Sequence, residues 1–137
     1  MARRPGRSPG GRSRSPPGPP GQFIAWLSTE AIDAIDRLPD TARWTLTDDT
    51  RVFESRDAIV DGPSVPIDLD QNGDRANPSP VWTGTSPSGH VANDNCLDWE
   101  NGNTKGRHGR SNATDSAWTD DAASDCNLEL RLYCFEI

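Results

Sequence analysis

Val81-Trp82-Thr83-Gly84-Thr85, Cys96-Leu97-Asp98-Trp99, and the closing run Leu130-Arg131-Leu132-Tyr133-Cys134-Phe135 decide how this chain reads. Its three cysteines, Cys96, Cys126 and Cys134, all fall in this last third, with Trp82, Trp99 and Trp118 spaced among them. That pattern suits a loop-rich unit whose long loops are pinned by at least one disulfide. Val81 and Trp82 read as a strand ended by Gly84. Leu128, Leu130, Leu132, Tyr133 and Phe135 supply a closing strand dense enough to lie centrally in a small sheet. Residues 101–116 are almost entirely polar and rich in glycine, so the expectation there is an exposed, mobile loop.

Working outward, 137 residues make one domain and at most a tail. Residues 1–21 are Arg/Pro/Gly/Ser-rich and too poor in apolar side chains to offset the entropy of ordering, which predicts a disordered tail. The domain is then residues 22–137. Arg3, Arg4, Arg7, Arg12 and Arg14 are the only charges of the tail. Setting them aside from the 14 basic residues leaves nine against 21 acidic ones, a formal charge of −12 on the rest. So acidic a surface repels phosphate and excludes nucleic acid and anionic lipid as partners of the folded part. No run approaches the roughly 20 apolar residues of a membrane helix. No apolar stretch follows Arg3 and Arg4, so a signal peptide is not expected either.

Residues 23–27 form a short apolar lead-in, read as a strand. Ser28 or Thr29 looks like an N-cap, and Ala31, Ile32, Ala34, Ile35 and Leu38 recur at helical spacing until Pro39, predicting one short amphipathic helix over residues 30–38. Residues 43–46 and 51–53 read as strand pieces around a polar turn, residues 55–60 as a helical turn closed by Asp61-Gly62-Pro63, and residues 65–69 as a strand limited to an edge by Pro66. Asp68, Asp70 and Asn72, followed by Gly73, match the start of a calcium loop. Ser79 stands where a bidentate acid is needed, and a hairpin turn at Asn72-Gly73 fits the flanking pattern better.

Val81-Trp82-x-Gly84-Thr85-x-Pro87-x-Gly89, then Cys96-x-x-Trp99, Cys126 and Cys134 resemble the endostatin domain of certain collagens. They also resemble related short domains of unknown function in bacterial secreted proteins and lipoproteins. Both are variants of the C-type lectin-like fold, so the resemblance implies an α+β domain with a small twisted antiparallel sheet, one or two short helices and long loops. It implies a bridge from Cys96 to Cys126. The family's third cysteine pairs with one on an N-terminal helix; the arginine-rich segment stands in that place, so Cys134 is expected to be free. The bridge and the family together imply an extracellular or cell-surface setting, although no export signal is read in the chain.

In sugar-binding C-type lectins a Glu-Pro-Asn motif, a later acid and a Trp-Asn-Asp motif hold calcium. The resembling positions are Ser86-Pro87-Ser88, Asp94 and Trp118-Thr119-Asp120, of which only Asp94 and Asp120 carry carboxylates, thin coordination for an ion taking six to eight oxygens. The calcium candidates are therefore Asp68, Asp70, Asn72, Asp94 and Asp120, and otherwise no cofactor is expected. Heparin binding and zinc transfer poorly from the endostatin family: Lys105, Arg107, His108 and Arg110 are the one basic cluster, and His90 and His108 read as lone surface histidines.

The leading expectation is a non-catalytic binding module presenting residues 84–95 and 100–125 to a protein or glycan. Asp94, Trp99, Trp118 and Asp120 are the candidate contacts, while Trp82, Trp99 and Trp118 read first as core or disulfide packing. A calcium-dependent lectin and a truncated or degenerate fragment are the alternatives. Catalysis is not expected: Cys134 in an apolar strand is a poor nucleophile, and Asp120-Asp121 reads as a solvated turn. Asn112-Ala113-Thr114 is a glycosylation sequon.

Overall fold

The computed structural model describes residues 2, 22–40 and 43–137. Among the described residues eight short strands carry the fold: β1 Phe23–Ala25, β2 Trp44–Thr45, β3 Arg51–Phe53, β4 Pro80–Trp82, β5 Lys105–Arg110, β6 Ala122–Asp125, β7 Arg131–Leu132 and β8 Cys134–Glu136. They form a mixed α+β-leaning domain with little helix. The largest sheet runs β6-β5-β4-β7, antiparallel except for the parallel β4–β7 pair. β1 pairs antiparallel with β8, joining the two ends of the domain, and β2 with β3 makes a hairpin. Among the described residues no helix is long and apolar enough to cross a membrane.

An aromatic core ties these pieces together. Trp26, Trp44, Phe53, Trp118 and Phe135 are each 0–1% exposed, with ring centroids 5.2–5.9 Å apart in five pairs. Offset and edge-on pairs of this kind contribute about 0.5–1.5 kcal/mol each beyond their buried area. Their polar tips are satisfied: Trp26 Nε1 donates to Thr119 Oγ1 (2.9 Å), Trp44 Nε1 to the Glu136 carbonyl (3.0 Å), and Tyr133 Oη to the Trp118 carbonyl (2.9 Å). A domain with this few apolar residues thus concentrates its core in aromatic rings.

Several expectations need correction. The helix over residues 30–38 is a single 3-10 turn, Ala34–Arg37. Thr29 Oγ1 accepts the Ile32 N–H (3.2 Å) and Ser28 Oγ the Ala34 N–H (2.8 Å), so hydroxyls take amides a longer helix would use. Residues 65–69 contribute only an isolated bridge, Leu69 to Arg75. The closing segment is not one central strand. β7 is an edge strand of the large sheet and β8 joins the other sheet, leaving Leu128 and Leu132 about half exposed while Tyr133 and Phe135 are buried.

Residues 101–116 depart furthest from expectation. They contain β5, the longest strand, flanked by β4 and β6. A Cβ on Gly106 would lie 2.6 Å from Cys96 Sγ, and one on Gly109 would run into the Trp118 carbonyl oxygen. These glycines make room for neighbours to close on the strand. His108, expected at the surface, is buried on β5 with Nε2 2.9 Å from Ser124 Oγ and its ring edge-on to Trp82.

Other expectations stand. The 3-10 turn Asp57–Asp61 ends at Gly62, the β2–β3 hairpin encloses the polar turn, and residues 68–76 form a hairpin with the Gly73 N–H on the Asp70 carbonyl (3.1 Å). Of the stretch read as a tail, Ala2 is fully buried and bridges in parallel to Phe135. The rest of that stretch lies outside the described residues.

Candidate functional site

Cys96 and Cys126 are joined, with Cα atoms 5.8 Å apart across 30 residues, and Cys134 is a free thiol. Closing a loop of this length contributes roughly 3–4 kcal/mol on the chain-entropy model. The bridge pins an excursion that carries β5, the 3-10 turn Ser116–Trp118 and β6.

At its start, Cys96, Leu97, Asp98 and Trp99 have φ of +56°, +49°, +59° and +67°, a left-handed turn built without glycine. Each such residue costs about 1–2 kcal/mol, so the surroundings must hold the turn. They do so at both ends. The disulfide fixes Cys96. Trp99 Nε1 donates to the Ser28 carbonyl (2.9 Å), and its ring lies edge-on to Trp82 at 5.7 Å. Asp98 Oδ1 accepts the Glu30 N–H (2.8 Å) and Asn95 Nδ2 (3.4 Å). Leu97, between these anchors, is 60% exposed. The turn therefore displays one leucine on a rigid base.

Beneath it runs a buried hydroxyl network that explains the Trp82-Thr83-Gly84-Thr85 motif. Thr85 Oγ1 donates to the Thr83 carbonyl (2.6 Å), so Ser28 Oγ donates to Thr85 Oγ1 (2.8 Å). Thr83 Oγ1 donates to the Thr119 carbonyl, and Thr119 Oγ1 to that of Thr85 (3.1 Å). Ser28, Thr83, Thr85 and Thr119 are fully buried. A closed network of this kind fixes the loop after β4 against the Trp118 turn.

Among the expected contact residues, Trp118 lies in the core at 1% exposure and is out of a ligand's reach, whereas Trp99 is half-buried. Asp94 and Asp120 come together on Arg107. Arg107 Nη2 is 3.4 Å from Asp94 Oδ2, and its Nε 3.3 Å from Asp120 Oδ1. The chain's own guanidinium thus stands between the two carboxylates that the lectin resemblance assigns to calcium. Ser86 and Ser88 hydroxyls pair with each other at 2.9 Å. Asp68, Asp70 and Asn72 sit on a separate hairpin. Asp68 Oδ2 pairs with Arg75, and Asp70 Oδ1 accepts the Asn72 and Asp74 N–H groups at 2.9 and 3.0 Å. Asp68 Oδ2, Asp94 Oδ2 and Asp120 Oδ1 each face a guanidinium of the chain and Asp70 Oδ1 is taken by two amides, so these residues do not fit a calcium ion. Among the described residues there is no group of three His, Cys, Asp or Glu side chains placed to hold a metal.

His90 is exposed, with Nδ1 2.7 Å from Asp33 Oδ2; that bond, with the Val91 N–H, holds the Asp33 carboxyl below its usual value. Burial pushes the Cys134 thiol up, and the Tyr133 hydroxyl likewise, so neither is activated for nucleophilic chemistry.

A separate cleft of about 350 Å³ lies between residues 67–71 and residues 131–134, with Ala76, Val81 and Ser111 completing its lining. No motif marked it, because its walls come from segments some 60 residues apart. Nor does any motif mark Arg107 as the partner of Asp94 and Asp120, since it stands in a polar run that reads as a loop. Comparison with protein-family models, with curated proteins and with solved structures finds no match.

Proposed function

We propose that the chain is a non-catalytic binding module of C-type lectin-like architecture, resembling the endostatin domain, and that it works outside the cell or at its surface on a protein or glycan. The observation that carries this reading is the Cys96–Cys126 bridge, which sits where the resemblance puts it and pins the excursion whose left-handed turn displays Leu97. Strained backbone that its surroundings hold in place clusters at ligand-contacting and switch segments, and this turn is held at both ends. Binding is independent of calcium, because Asp94 and Asp120 are neutralised by Arg107.

The test is binding of the purified, oxidised domain to arrays of glycans and extracellular-matrix proteins in the presence of EDTA. The reading expects a saturable ligand whose binding is lost in Leu97→Asp while the melting temperature is kept. Binding that requires calcium, or hydrolytic turnover abolished by Asp120→Asn, would overturn it.

A further inference from the structure

Asn112-Ala113-Thr114 has the Asn-x-Thr spacing that N-linked sugar transfer needs, and the function proposed above makes no use of it. The segment follows β5 directly, where the Ala113 N–H donates to the Arg110 carbonyl (3.1 Å) and closes a turn with Ser111 and Asn112 at its tip. The turn is held from behind. Ser79 N–H donates to Ser111 Oγ (3.1 Å) and Ser111 N–H to the Ser79 carbonyl (3.2 Å), while a Cβ on Gly62 would lie 2.7 Å from the Thr114 carbonyl oxygen. Ala113 packs against the core, whereas Asn112 and Thr114 on either side of it are exposed. The middle residue thus anchors the triplet and leaves the amide and the hydroxyl in solvent. At ~3.3 Å per residue β5 carries the chain ~13 Å from Gly106, which backs onto Cys96, to Arg110, where the turn begins. A bulky group on Asn112 therefore stands at the other end of the strand from the Leu97 turn.

We propose that Asn112 is a modification site that carries an N-linked glycan, taken from a polyprenyl-pyrophosphate-linked oligosaccharide. Asn112 Nδ2 attacks C1 of the first sugar; a C–N bond forms as the C–O bond to pyrophosphate breaks, the pyrophosphate leaves with the electron pair, and Nδ2 gives up a proton. Thr114 supplies the hydroxyl that the motif requires two residues after the acceptor. The glycan shields the polar turn between β5 and the 3-10 turn Ser116–Trp118 and leaves the Leu97 surface uncovered. This inference rests on the proposed setting outside the cell, since donor and transferase act on chains that cross a membrane. The chain also holds its own comparison: Asn77-Pro78-Ser79 lies beside the turn through the Ser79–Ser111 bonds and is exposed at Asn77, but proline in the middle position bars transfer.

The test translates the full chain, behind a cleavable leader, into eukaryotic microsomes and scores only the chains protected from added protease. The expected result is a single upward mobility shift, reversed by peptide-N-glycosidase and lost in both Asn112→Gln and Thr114→Ala, with the Cys96–Cys126 bridge formed in the glycosylated chain. Protected wild-type chains without a shift would overturn the proposal, most directly if Pro78→Ala, which opens Asn77 to transfer, gains one. A shift that survives Asn112→Gln would also overturn it, since the sugar would then sit elsewhere. So would glycosylated chains that fail to form the bridge, because the fold would then exclude the sugar. An unshifted chain that still forms its bridge leaves the Leu97 reading standing, whereas absence of array binding with the glycan in place counts against that reading alone.

Discussion

The indole of Trp99 occupies the space a side chain at residue 84 would need: a Cβ on Gly84 would lie 2.6 Å from Trp99 Cζ2. Gly84 also has φ of +56°, so a substitution is strained as well as crowded. Gly84→Ala should destabilise by roughly 2–4 kcal/mol, combining left-handed strain with overpacking. Trp99→Phe, which loses the bond to the Ser28 carbonyl, should cost only about 1 kcal/mol. Urea unfolding of the two variants gives this order. A smaller loss for Gly84→Ala than for Trp99→Phe would contradict the packing.

Thr119 accepts from Trp26 Nε1 and donates to the Thr85 carbonyl, entirely within the core. Thr119→Val keeps the shape and orphans both partners, which should cost about 2–4 kcal/mol. Thr119→Ser keeps the hydroxyl and should recover most of that loss. The comparison of melting curves separates the hydrogen bonds from the methyl group.

Arg107 holds Asp94 and Asp120 within 3.4 Å, and all three side chains are only partly exposed. Arg107→Gln should cost roughly 1–2 kcal/mol, with solvent screening keeping the figure small. Replacing both acids by asparagine should remove most of that cost, as a double-mutant cycle would show. Adding calcium or EDTA should leave the wild-type melting temperature where it is; a calcium-dependent rise would reopen the ion site.

Asp33 is held below its usual carboxyl value, first by His90 and then by the Val91 N–H. Its ionised form is favoured more in the folded chain than in the unfolded one. It therefore stabilises above the unfolded value near pH 4, and that contribution is lost as pH falls through the lower folded value. Asp33→Asn should flatten the acid limb of the melting-temperature profile and leave its slope above pH 5 little changed. An unchanged acid limb would show the pairing to be inconsequential.

Local chemistry carried the lead-in strand, the β2–β3 hairpin and the turn at Asn72-Gly73, while the Cys96–Cys126 pairing and the free Cys134 came only as what the endostatin resemblance implies. The sequence misled where long-range contacts decide. Gly106 and Gly109 look like loop residues until Cys96 and the Trp118 carbonyl are placed against them, and only then does a polar run become the centre of a sheet. Leu132 looks like core until β7 is seen at an edge. Arg107 shows the same dependence: its partners lie 13 residues before and 13 after it, a distance that no local pattern spans.

The choice of joined cysteines decides both fold and surface, since the bridge fixes Cys96, the left-handed turn and the excursion that displays Leu97. Mass spectrometry of protein made in an oxidising compartment, alkylated and digested without reduction, reads this directly. A peptide linking Cys96 to Cys126, with Cys134 carrying the alkyl label, is the predicted result. A Cys126–Cys134 link, or three labelled thiols in a protein that still melts cooperatively, would contradict the fold and the function drawn from it.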